Sequence, residues 1–115
     1  MSQAQQEAEV DEKPKAAGLD GPLGVFVAHA ASKDLLEGLL DAAARAGVEV
    51  TVFFMDEAVT LLVDRDWVDK LEASRLAACD LSARRYGVEL PERIVAGGQY
   101  QNALMVSDAA RVVSL

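Results

Sequence analysis

The sequence predicts an α/β fold: three layers, α/β/α, around a mostly parallel five-stranded sheet in a flavodoxin-like arrangement. Three observations carry this expectation. Apolar runs of strand length alternate along the chain with segments of helical periodicity. Glycines sit where the helical segments stop, at Gly47 and Gly87, and Gly97-Gly98 marks a further turn. The first apolar run, Leu23 to Ala28, is nearly unbroken, as in a strand covered on both faces.

The elements follow in order. Met1 to Pro22 is rich in Gln, Glu, Ala and Lys, carries Pro14, Gly18, Gly21 and Pro22, and has no periodic apolar face. Such a segment buries too little to offset its ordering entropy and is expected to be a disordered acidic tail. Residues 23–115 form the single domain. After the first strand, His29 to Lys33 is a loop, and Ser32 or Asp34 is placed to cap a helix running from about Asp34 to Ala46. Leu35, Leu36, Leu39, Leu40 and Ala43 give that helix one apolar face, and Asp41 and Arg45 form an i,i+4 pair. Val48 to Met55 is β-branched and aromatic, and reads as the second strand. Strand, helix and strand make a βαβ unit, hence a right-handed parallel crossover.

A helix over Asp56 to Val63 follows, with Val59, Leu62 and Val63 on one side. Asp64 to Ala73 is a second helical piece or a surface loop, pinned by Trp67, Val68 and Leu71. Ser74 to Ala78 is a short third strand ending at Cys79, and Leu81 to Tyr86 a short helix. Ile94 to Ala96 reads as the fourth strand, Gln99 to Ala109 as the last helix, and Arg111 to Leu115 as the fifth strand.

Charge and composition exclude several functions. The net charge of −8 repels phosphate backbones, and Arg84-Arg85 is too small a basic cluster for nucleic acid, though large enough for one small anion. No signal peptide is visible, and no apolar run reaches the length of a membrane span. With a single cysteine and therefore no intrachain disulfide, the expectation is a cytoplasmic protein with no membrane partner. One Cys and one His fall short of a zinc site, Cys-x-x-Cys is absent, and no nucleotide fingerprint appears, so no cofactor is expected. Asp56 and Asp80 stand near predicted strand ends, but a phosphoacceptor reading is disfavoured because Ala28-His29-Ala30 lacks the acids such a site needs after its first strand.

Cys79 is the candidate nucleophile. A lone cysteine is commonly a packing residue. Its expected place between a strand end and a helix start points elsewhere, because helix amides favour thiolate over thiol. Arg84 and Arg85 lie further along that helix and add positive potential, while Asp80 opposes a second anion. His29, the only histidine, follows the first strand and falls on the same edge of a parallel sheet. It reads either as a proton partner for the thiol or as an exposed loop residue.

Three stretches together resemble the DsrE/DsrF-like family, which includes TusD-type sulfur-relay proteins. They are Val52-Phe53-Phe54-Met55-Asp56-Glu57-Ala58-Val59, the cysteine segment Ala78-Cys79-Asp80-Leu81-Ser82-Ala83-Arg84-Arg85-Tyr86-Gly87-Val88, and Ser107 to Leu115. Asp80 and Tyr86 depart from the version typical of that family. The resemblance implies a trimeric or hexameric assembly, and a persulfide formed on Cys79 and passed between sulfur donor and acceptor proteins. Family members that lack the cysteine serve as structural or regulatory subunits; because Cys79 stands at the matching place, the resemblance favours an active carrier, with a non-catalytic structural or regulatory subunit as the alternative. A flavodoxin-like small-ligand binder is a third reading, resting on fold analogy alone.

Overall fold

The computed structural model describes residues 21–73, 75–98 and 109–115. The fold class is the predicted one, a three-layer α/β fold, with one sharpening: all four strand pairings are parallel. The strands are β1 (Leu23–Val27), β2 (Val50–Phe54), β3 (Arg75–Cys79), β4 (Val95–Gly97) and β5 (Arg111–Ser114). They lie in the order β4-β3-β2-β1-β5, so the chain steps outward from β1 to β4 and the last strand returns beside the first. Their carboxyl ends therefore share one edge, which carries the residues after Val27, Phe54 and Ala78.

Helix α1 (Lys33–Ala46) follows a short 3-10 turn at Ala30–Ser32. It ends at Gly47, whose φ of 72° is the left-handed conformation glycine adopts freely. The Val48 amide then reaches back to the Ala43 carbonyl at 2.9 Å, closing the terminus. A 3-10 helix over Asp56–Val63, α2 (Arg65–Lys70) and α3 (Asp80–Arg85) complete the described helical segments. None of the helices among the described residues is long and apolar enough to cross a membrane. The expected tail up to residue 20 and the expected last helix over residues 99–108 lie outside the described residues.

Strand register sorts the core. Leu23, Val25 and Val27 align with Val50, Val52 and Phe54, and the last two with Leu76 and Ala78. This row meets Leu36, Leu40 and Ala43 of α1, Ala58, Val59 and Leu62 of the 3-10 helix, Val68 of α2 and Ala83 of α3 in one buried cluster. The opposite face holds Phe26 and Phe53, packed edge-to-face at 6.1 Å. Central strands buried on both faces explain why they read as apolar runs.

Two expected packing residues are displaced. Leu35 is 62% exposed, because the buried stripe of α1 runs through Leu36, Leu40 and Ala43 and leaves Leu35 at its flank. Val63 is 64% exposed. With three residues per turn, Val59 and Leu62 stack on one side of the 3-10 helix and Val63 swings away from them. Of the stretch Asp64 to Ala73, Arg65–Lys70 is helical. Asp64 caps it by accepting from the Trp67 amide at 3.1 Å. The Trp67 indole packs edge-on to Phe54, donates to Glu37 at 2.6 Å and lies under Lys33.

Arg93 closes the far end of this helix. Its guanidinium donates to the carbonyls of Val68, Leu71 and Ala73, adding to the Leu71 amide that already reaches the Val68 carbonyl at 3.2 Å. Arg93→Ala is expected to cost about 1.5–3 kcal/mol, the range for hydrogen bonds from a charged donor. Urea denaturation followed by Trp67 fluorescence measures it, and an unmoved midpoint would show the contact to be dispensable.

Candidate functional site

Cys79 is the last residue of β3 and the N-cap of α3. Its φ of −71° and ψ of 117° are extended, and the next residue is helical, so the chain turns sharply at the thiol. Backbone alternation puts Cys79 in the row of Ala77, opposite to Leu76 and Ala78. It is partly exposed and free. Its Sγ accepts the Ser82 amide at 3.4 Å, a weak cap made by a sulfur where a hydroxyl is the usual acceptor. Helix α3 ends in the same manner as α1. Gly87 has a φ of 65°, and the Val88 amide bonds the Ala83 carbonyl at 2.9 Å.

The neighbouring loops are tied to this turn by hydrogen bonds. Asp56, just past β2, has a φ of 50°, uncommon for a residue with a Cβ. Its amide donates to Ser82 Oγ at 3.0 Å. Glu57 Oε2 in turn accepts the Ala30 amide at 3.2 Å. The carboxyl edge is thereby linked from the loop after β1, through the turn after β2, to the cysteine helix after β3. Asp56 was weighed from the sequence only as an acid at a strand end, and Ser82 was not singled out at all. A serine inside a short helix gives no signal that its hydroxyl will face a loop from another strand.

The charged residues divide. Arg84 pairs with Asp80 at 3.3 Å, and both side chains are well exposed. The carboxylate nearest the thiol in sequence is therefore matched by a cation one turn away, in a pair worth less than about 1 kcal/mol. Arg85 is exposed and has no hydrogen-bond or ion-pair partner among the described residues. His29 is exposed at the start of the 3-10 turn and stands on the same sheet edge as Cys79. Strand β2 lies between β1 and β3, so their backbones are offset by roughly 10 Å, two strand spacings. No hydrogen bond joins the two side chains among the described residues. No group of three or more potential metal ligands occurs among the described residues either. A surface depression lined by Arg65, Asp69, Pro91, Glu92 and Arg93 contains none of the edge residues just described.

No family model and no curated protein matches the chain. Among solved structures, the chain is similar to the crystal structure of the YchN protein from E. coli, with a TM-score of 0.64 and 14% sequence identity. The alignment covers 82% of this chain and 99% of that one. At this identity the likeness shows the fold alone.

Proposed function

We propose that this chain is a sulfur carrier of the DsrE/F-like kind, working in a cytoplasmic sulfur relay between donor and acceptor proteins. The observation that carries the reading is the partly exposed Cys79 at a strand-to-helix turn on the carboxyl edge of a parallel sheet, its sulfur facing a backbone amide. The thiolate attacks the terminal sulfur of a persulfide-bearing donor. A sulfur–sulfur bond forms at Cys79, the donor's sulfur–sulfur bond breaks, and the donor leaves as a thiolate. An acceptor thiolate then attacks the outer sulfur of Cys79, and the Cys79 thiolate is released. Oxidation states exchange between partners and no external oxidant enters. The Ser82 amide supports the anion at each stage. The resemblance of the cysteine segment to that family and the fold shared with YchN both support this reading.

A second reading, a non-catalytic subunit of a DsrE/F-like homo-oligomer, is favoured by the exposed Leu81 and Leu35, apolar side chains that a neighbouring subunit would cover. Intact-mass measurement after exposure to polysulfide separates the two. The carrier gains one sulfur, and the gain is reversed by dithiothreitol. A protein that stays unmodified under conditions that load a known carrier would leave only the subunit reading.

A further inference from the structure

Ser82 is 6% exposed and the one buried polar side chain among the described residues. It serves two partners through two different groups. Its hydroxyl accepts the Asp56 amide at 3.0 Å, and its own amide donates to Cys79 Sγ at 3.4 Å. Asp56 holds a φ of 50°, a conformation a non-glycine residue keeps only where its surroundings fix it. The Asp56 amide is held by the hydroxyl of Ser82.

We infer that Ser82 is the positioning residue of Cys79: its buried hydroxyl clamps α3 onto the strained turn after β2, and the clamp holds the Ser82 amide against the sulfur. The reasoning is geometric. Helix α3 has six residues, too few to hold its own first turn rigidly in water. Its inward face is apolar at Ala83, which fixes its distance from the sheet but not its rotation. A directional bond at Ser82 fixes the rotation, and the rotation sets whether the amide points at Sγ. Asp56 is the partner because it lies two residues past the end of β2, the strand adjacent to β3.

The inference rests on Cys79 being a working thiol, and its test does not depend on sulfur transfer. The probe is iodoacetamide, with the rate of Cys79 alkylation followed near neutrality. Ser82→Ala is expected to slow alkylation by about tenfold, the worth of one moderate hydrogen bond. Ser82→Thr keeps the oxygen and is expected to restore the rate. A Ser82→Ala protein that alkylates at the wild-type rate would overturn the inference. So would a threonine variant that behaves as the alanine one while remaining folded. A measurement on the unmutated chain covers the case in which Ser82→Ala does not fold. Capping Cys79 with methyl methanethiosulfonate should speed hydrogen exchange at the Asp56 amide, and unchanged exchange there would equally overturn the coupling. Failure of polysulfide loading in the wild type removes the sulfur reading and leaves these alkylation results standing, so the two are told apart.

Discussion

Cys79→Ser is expected to lose sulfur loading completely while unfolding within about 1 kcal/mol of the wild type, because the two roles of this position separate cleanly on serine. The chemical role requires a thiolate, and a serine hydroxyl does not ionise near neutrality or bond sulfane sulfur. The structural role is the N-cap of α3, where the side chain accepts the Ser82 amide. Serine is among the residues best suited to that task, so the oxygen takes over the cap and makes a shorter bond than the sulfur at 3.4 Å. Cys79→Ala, by contrast, removes the acceptor and is expected to cost about 0.5–2 kcal/mol. The pair of variants is informative together. Intact mass reads loading, and denaturant titration reads stability. If serine destabilised the domain as much as alanine, the cap would not be what the side chain contributes. If the serine variant still gained sulfur, the site would lie elsewhere. A cap alone would be better served by serine than by cysteine, and the presence of the weaker acceptor is itself an argument that the thiol has another use.

How much of this was legible in the sequence depends on the range of the interaction. Strand and helix order follows from local periodicity, and the boundary at Cys79 is marked by apolar Leu76-Ala77-Ala78 before it and a glycine stop at Gly87 after it. The glycine stops were legible because φ near 70° is a property of one residue type. Leu35 and Val63 were misplaced because periodicity locates a stripe only to within about a residue on either side, and because a 3-10 turn shifts that stripe. The clamp at Ser82 was not legible at all. It joins residues 26 apart in sequence; an aspartate enters the left-handed region more readily than most residues, but nothing in a lone serine announces a buried hydroxyl. His29 shows the intermediate case. Parallel pairing put it on the thiol's edge, whereas strand order, which the sequence does not encode locally, inserted β2 between them.

Phe54→Ala is expected to be the most damaging of the core truncations, costing about 3–5 kcal/mol against a total stability of about 5–15 kcal/mol. Phe54 is fully buried at the carboxyl end of β2, the strand in the middle of the sheet. Its ring meets Trp67 at 6.2 Å, and Trp67 in turn reaches Glu37 and Lys33 on α1. Removing the ring therefore opens a cavity and also withdraws the surface on which α2 is seated. Residues next to Phe54 lead directly into Asp56 and the clamp on the cysteine helix, so thiol reactivity should fall along with stability. Guanidinium titration measures the loss, read by far-ultraviolet circular dichroism because Trp67 fluorescence reports the altered contact itself. Leu35→Ala is the matched control. That side chain is 62% exposed, and its truncation is expected to change stability by no more than about 0.5 kcal/mol. Equal losses at the two positions would mean that α1 packs through the face its sequence first suggested, and a small loss at Phe54 would mean that α2 does not depend on the aromatic contact for its seat.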